Sequence, residues 1–369
     1  MPDIAAPEAK DGPVPTARPS MGLKLFFWLI LSAFSVFFAE VVSGSSPFPF
    51  FSPFDLSALW GWFVLMPLYG LHTLVLASFV FNWGRPRFYA IYLAGVIFGL
   101  YEAYITKVLW GPPWGAPILT VGGIAIVELA VISLFWHPFL SFAVPLSAAE
   151  TTLTSSREVL DGFPARIKRL LAKRGWTLFV LFALWAGLNH GGAGILSASL
   201  SALISMTFLL ALILIWRKRT AGTSYPVRSL LPDKRQAVIL AVPLVIIYIV
   251  LGVGINPQRI PGIAAQAPIW VMYAVIIGLL VLAARRSRTD SGAGPLLRPV
   301  MNGRHLLTFA AIFTVASAVS GLSGLSLYVL VTTWFPAVGI GVAFLVWSAR
   351  EALRRTDPES IRPGPDSQS

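Results

Sequence analysis

Ten apolar segments, each close to the length that crosses a lipid bilayer, constrain the fold of this chain more than any other feature. A transmembrane helix needs about 20 mainly apolar residues. The segments are 22–42, 57–81, 88–108, 117–136, 175–189, 192–216, 237–254, 268–284, 305–322 and 325–348. Only 12% of the residues are charged, whereas a soluble domain has about 25%. The sequence therefore predicts an all-α, polytopic transmembrane helix bundle of about ten spans.

The basic residues predict the orientation of these spans. If the N-terminus is cytoplasmic, only Lys107 and Arg259 of the 28 Lys and Arg residues fall on the outer side. Positive charge in short cytoplasmic loops is typical of membrane proteins. We therefore expect both termini in the cytoplasm and the chain in the cell (plasma) membrane. The net charge of +12 is explained by this topology, and we expect no nucleic-acid partner.

Composition divides the chain into five parts. Polar, Pro-rich ends predict disordered cytoplasmic tails at 1–20 and 349–369. Residues 21–149 are expected to form a four-helix membrane half with embedded Glu and His residues. A cytoplasmic basic linker at 150–174 leads to a six-helix half at 175–348, whose spans carry no acidic residue.

Residues 164–175 of the linker predict a basic amphipathic helix. Ile167, Leu170 and Leu171 fall on one helical face and are surrounded by Lys and Arg residues. Such a helix lies along the membrane surface and attracts anionic lipid headgroups, which are the expected partner; the alternative is an ordinary basic loop. The sequence does not identify a protein partner. The apolar stretch 137–148 is either re-entrant or interfacial.

The third segment combines small residues with a carboxylate. Gly95, Gly99, Glu102 and Thr106 are spaced four, three and four residues apart, which places them on one face of a helix. The two glycines let another helix approach closely. Glu102 should therefore face a neighbouring helix or a cavity, and an ionisable group held there indicates a functional site.

The acidic residues of the predicted spans are confined to the first four helices. They are Glu40, Glu102 and Glu128, and His72 accompanies them. Burying one such charge costs on the order of 2.5–3.5 kcal/mol on insertion scales. Their positions predict an outer cluster in which Lys107 offsets the charge of Glu40 or Glu102. A deeper pair would join Glu128 to His72.

Three functions are compatible with these residues. The first is a transporter, permease-like or small-ligand-binding protein in which Glu102 and Glu128 bind protons or substrate. The second is an intramembrane hydrolase with Glu102 and His137 as catalytic residues, and the third is a scaffold without chemistry. Metal-binding and nucleotide-binding motifs are absent from the sequence, and so is cysteine. We therefore expect no metal and no cofactor.

Three stretches resemble a group of uncharacterised prokaryotic multi-pass membrane proteins. They are FAEVVSGSSPFPFF with Glu40, FGLYEAYITKVLW with Glu102 and Lys107, and LFWHPFLSFAVPL with His137. In that group a Glu-containing first helix, a G-x-x-E helix and a later His recur. The resemblance covers residues 25–150.

The Glu102 segment is also distantly similar to the CPBP (Abi-type) intramembrane proteases, whose first motif is EExxxR. Here Ala103 stands in place of the second glutamate and Lys107 in place of the arginine. The FxxxH and HxxxN motifs of those proteases are absent. The resemblance implies that Glu102 activates a water molecule and that His137 assists.

Overall fold

Helices form wherever the sequence carries a long apolar run. A computed structural model describes residues 18–46, 57–154, 156–221, 223, 225–286 and 301–354. Its helices are α1 (Met21–Val41), α2 (Gly61–Trp83), α3 (Phe88–Ala103), α4 (Ile126–Leu153), α5 (Glu158–Gly162), α6 (Ala165–His190), α7 (Ile195–Arg219), α8 (Val227–Leu230), α9 (Lys234–Gly254), α10 (Ile263–Arg286), α11 (Gly303–Ser323) and α12 (Leu325–Leu353). Strands β1 (Thr120–Val121) and β2 (Ile124–Ala125) form an antiparallel hairpin immediately before α4.

Ten of these helices correspond one to one with the ten predicted segments. Within the described residues, nine helices are long and apolar enough to cross a bilayer, and α3 is a shorter apolar helix between two of them. The prediction of an all-α multi-pass bundle is therefore confirmed. The side of the membrane that each terminus faces remains a prediction.

Local sequence determines several helix ends. The Ser20 hydroxyl accepts a hydrogen bond from the Leu23 N–H and caps α1. Asp233 and Gln236 form a capping box at the start of α9. Gly324 adopts a φ of 68° between α11 and α12, a left-handed conformation that glycine adopts without steric cost. The tight turn between these last two helices depends on it.

The early helices form the interior of the bundle. Within the most apolar 18-residue stretch of each helix, 61% of the residues are buried in α1 and in α2, and 78% are buried in α4. The corresponding fraction is only 11% in α9 and in α12. Helix α3 packs against α4, α10 and α12, and α9 packs against α2. Later helices thus shield the early helices, which carry the embedded acidic residues, from lipid.

The fourth span begins and ends later than the sequence predicted. Residues before Ile126 are apolar, but they form a hairpin whose turn places Gly122 and Gly123 at φ values of 57° and 81°. Helix α4 then continues through 137–148 and ends at Leu153. Glu128 consequently lies in the first turn of α4, and the deep position expected for it is not observed.

The basic segment predicted at 164–175 is helical and continuous with the fifth span. It forms the start of α6, and the backbone at Arg174 departs from helical geometry (φ −132°, ψ 20°). This kink separates the basic segment from the apolar remainder of α6. The predicted tails fall mainly on 1–17 and 355–369, which lie outside the described residues, while α12 itself extends to Leu353.

Candidate functional site

The glycine stripe of α3 lets α4 approach closely. A Cβ atom at Gly95 would lie 2.4 Å from the Cα of Pro138, and one at Gly99 would lie 2.7 Å from the Cα of Ser133. No side chain fits at such distances without a backbone shift. The Ser133 hydroxyl also donates a hydrogen bond of 2.9 Å to the Gly99 carbonyl. The predicted close helix contact is therefore confirmed.

This close packing joins Glu102 to His137. The Nε2 atom of His137 lies 2.8 Å from Oε1 of Glu102, and the two residues are only 2% and 7% exposed. The Thr106 hydroxyl donates to the other carboxylate oxygen. On the far side of the ring, the Ser141 hydroxyl lies 2.7 Å from Nδ1 of His137. The imidazole is thus held between a carboxylate and a hydroxyl.

Two tyrosines connect Glu40 to this pair. The Tyr69 hydroxyl donates to Oε1 of Glu40, and the Ser46 hydroxyl donates to Oε2 at 2.9 Å. The Tyr101 hydroxyl lies 2.8 Å from that of Tyr69. The centroids of the two tyrosine rings are 6.0 and 5.1 Å from that of His137. We call Glu40, Tyr69, Tyr101, Glu102 and His137 the Glu–His cluster.

All three ionisable members of the Glu–His cluster lie where the helices depart from α geometry. Glu40 is in a π-helical turn that ends α1, Glu102 is in a 3-10 turn that ends α3, and His137 is in a π-helical part of α4. These segments are Phe37–Val41, Leu100–Ala103 and Leu129–Ala143. Interruptions of this kind frequently coincide with functional sites.

His72 lies beside the Glu–His cluster but does not pair with Glu128. Its Nδ1–H donates to the Leu68 carbonyl at 2.7 Å, and its Nε2 lies 2.8 Å from the Tyr248 hydroxyl. Its ring stacks on Phe98 with a centroid distance of 4.6 Å. Both ring nitrogens therefore have a hydrogen-bond partner. His72 therefore connects α2 to α9, and its ring packs on Phe98 beside the Glu–His cluster.

Glu128 occupies a separate position at the start of α4. It is buried, and its Oε1 accepts a hydrogen bond of 3.3 Å from the Ile118 N–H. Its Oε2 has no hydrogen-bond partner among the described residues. A carboxylate in the first turn of a helix interacts favourably with the helix dipole. This geometry ties Glu128 to the hairpin that precedes α4.

Lys107 does not join Glu40 and Glu102 in an outer cluster. Its ammonium group donates to the Gly252 carbonyl at 2.8 Å, and also to the carbonyls of Leu251 and Ile255. Lys107 itself has a φ of 59°. Burial lowers its pKa, and the positive charge of Arg259 lowers it further. The lysine therefore caps the C-terminal end of α9, where free carbonyls attract a cation.

Sequence reasoning missed several buried polar residues, including two members of the Glu–His cluster. Tyr69 and Tyr101 gave no signal, because a tyrosine in an apolar run is indistinguishable from a packing residue. Glu150 was assigned to a linker, yet it is buried and accepts two backbone N–H groups of α5 at 2.9 Å. His190, which no sequence pattern singles out, is buried and donates to the Val41 carbonyl at the end of α1.

The fold and the site define a multi-pass membrane protein whose buried early helices carry a Glu–His cluster. Residues 29–355 match a family described as an uncharacterized membrane protein family. A protein of Archaeoglobus fulgidus, described as an uncharacterized protein, is 33% identical over 263 residues, which is 70% of this chain and 78% of that protein. No solved structure matches the chain. The chain belongs to this uncharacterised membrane protein family, in agreement with the family resemblance found in its sequence.

Proposed function

We propose that the protein is a permease-like membrane protein of the plasma membrane in which the Glu–His cluster couples proton binding to the binding of a small ligand. The observation that carries this proposal is the charge balance of the cluster. With His137 neutral and both carboxyl groups ionised, Glu40 and Glu102 supply two negative charges. Across the residues that the structure describes, neither forms a salt bridge with Lys or Arg.

An uncompensated charge inside a membrane protein is costly, so such a site tends to bind a neutralising partner. Two protons would neutralise the Glu–His cluster, and so would one proton together with one small cation. Exchange between these two states is the basis of proton-coupled transport. Lys107 is the nearest lysine in sequence to Glu102, but its ammonium group is occupied by the carbonyls at the end of α9.

The geometry supports Glu40 as the residue at which a proton or cation enters the Glu–His cluster. This residue is partly exposed, whereas Glu102 and His137 are buried. Between them lie the hydroxyl groups of Tyr69 and Tyr101, each of which can both donate and accept a hydrogen bond. A proton or cation that binds at Glu40 would therefore change the field at the Glu102–His137 pair.

Infrared difference spectroscopy of the full-length protein in lipid nanodiscs tests the charge balance. We expect the carbonyl band of protonated carboxyl groups to change in intensity as the pH is varied, because the proposed site exchanges protons. Glu40→Gln and Glu102→Gln should each remove a part of this change, because glutamine cannot exchange that proton. The matched control is Glu158→Gln, which alters a carboxylate that is paired with Arg228 outside the cluster. A pH-dependent signal that is the same in all four proteins would contradict the proposal.

The contact of 2.8 Å between Glu102 and His137 also favours a second candidate, an intramembrane hydrolase. A general base must lie within hydrogen-bond distance of its partner, and a third group commonly orients the histidine, as Ser141 does here. The hydrolase requires Glu102 and His137 but not Glu40. Release of fragments from apolar helical peptides, retained in Glu40→Gln and lost in Glu102→Gln, would favour it over the permease.

A further inference from the structure

We propose that residues 165–174, the basic segment at the start of α6, bind the headgroups of anionic phospholipids at the membrane surface. This proposal does not depend on the function of the Glu–His cluster. It extends the sequence prediction of a basic amphipathic helix with three structural observations: the absence of acidic partners among the described residues, the exposed apolar face, and the kink that precedes Trp176.

The cations of the basic segment are exposed, and none has an acidic partner among the described residues. They are Arg166, Lys168, Arg169, Lys173 and Arg174. The nearest carboxylates in sequence are occupied elsewhere: Glu158 pairs with Arg228 at 3.2 Å, and Asp161 lies 3.9 Å from Arg157. None of the five cations forms an ion pair in the described part of the chain. The segment therefore presents an uncompensated positive surface.

The same segment exposes apolar side chains on one face. Leu170 is 48% exposed and Leu171 is 38% exposed, while Ile167 is partly buried. An apolar face flanked by cations is the pattern of helices that lie in the plane of the membrane interface. Long Arg and Lys side chains then reach from this depth to the headgroups.

The kink at Arg174 and the exposed residue Trp176, which follows it, indicate that the basic segment lies near the lipid headgroups. Trp176 is 45% exposed, and its ring centroid lies 5.6 Å from that of His305 at the start of α11. Exposed tryptophans concentrate at the boundary between hydrocarbon and headgroups. Because the kink at Arg174 precedes Trp176, we place the bend between the basic segment and the apolar remainder of α6 near the headgroups.

Charge complementarity identifies the occupant as an anionic phospholipid headgroup. Each Lys or Arg near an anionic membrane surface contributes about 1 kcal/mol of attraction. Three such residues therefore change the ratio of surface-bound to free segment on the order of 100-fold. The chain has no cysteine, so one introduced cysteine allows specific labelling of the segment.

The test uses a nitroxide label on the full chain at Ala172→Cys, an exposed position within the basic segment. The protein is reconstituted in vesicles of phosphatidylcholine alone or of phosphatidylcholine with phosphatidylglycerol. We expect an immobilised component of the electron paramagnetic resonance spectrum only with phosphatidylglycerol. Combined Arg166→Gln, Arg169→Gln and Lys173→Gln substitutions should reduce the ratio of immobilised to mobile label on the order of 100-fold.

The matched control keeps the charge, with Arg166→Lys, Arg169→Lys and Lys173→Arg, and should behave like the parent protein. A second label at Ile118→Cys, on the exposed residues before the β1–β2 hairpin, should not respond to the variants. Identical spectra in the two kinds of vesicle would overturn the proposal. So would immobilisation by inorganic phosphate in phosphatidylcholine vesicles, or loss of immobilisation when residues 355–369 are deleted, since the latter would identify the C-terminal tail as the occupant.

Discussion

Replacing Glu102 with glutamine is expected to reduce proton movement through the reconstituted protein by at least about 100-fold, the lower range for a group that transfers protons. Glutamine preserves the shape of the side chain and can still accept a hydrogen bond from Thr106. It cannot release a proton, and its contact with His137 loses the negative charge. The measurement uses proteoliposomes that contain a pH-sensitive dye and carry a gradient of Na⁺, K⁺ or methylammonium across the membrane.

Glu158→Gln is the control for this experiment, because Glu158 is a carboxylate on α5 whose partner is Arg228. We expect it to retain the flux of the parent protein. Both variants should insert and purify equally well, since neither changes a packed apolar side chain. Undiminished flux in Glu102→Gln, for whichever gradient drives proton movement in the parent, would contradict a role of Glu102 in proton coupling.

Gly95→Ala and Gly99→Ala are each expected to lower the free energy of unfolding by about 1–3 kcal/mol, the usual cost of overpacking a tight contact. The added methyl group at Gly95 would meet the backbone of Pro138, and the one at Gly99 would meet the backbone of Ser133. Backbone atoms cannot move aside as a flexible side chain can. The α3–α4 pair must therefore separate, which also lengthens the contact between Glu102 and His137.

Reversible unfolding in mixed detergent micelles measures these changes. The matched control is Gly278→Ala on α10, where an added Cβ atom meets nothing within 4 Å. Its free energy of unfolding should be unchanged or raised by up to about 1 kcal/mol, because alanine favours the helix more than glycine does. If Gly95→Ala, Gly99→Ala and Gly278→Ala are equally stable, the close packing of α3 against α4 does not stabilise the site.

The number of spans and the closely packed face of α3 were predictable because each depends on a pattern along a single segment. Apolar length identifies a helix in lipid, and the spacing of Gly95, Gly99 and Glu102 defines one helical face. That face does pack against α4, and it does carry a buried carboxyl group. His137 was only one of several alternatives for the partner of Glu102, because residue spacing within one segment does not specify which other helix that segment contacts.

The errors arose where local backbone geometry changed the direction of a side chain. Hydropathy cannot separate the hairpin before Ile126 from a helix, so Glu128 was placed too deep. Lys107 adopts a positive φ and turns to the end of α9, a long-range contact that no local pattern indicates. The tyrosines of the Glu–His cluster were missed for the same reason, because their hydroxyl partners come from different helices.

We propose that Glu40, Glu102 and His137 exchange protons as one site, and ¹⁵N NMR of the imidazole nitrogens tests this proposal most directly. The chain has only four histidines, so the ¹⁵N signals of His137 can be assigned by comparison with His137→Gln. We predict that the pH dependence of these signals changes in Glu102→Gln and, to a smaller extent, in Glu40→Gln, while His190 is unaffected. A titration of His137 that is identical in the parent protein and both variants would contradict the account.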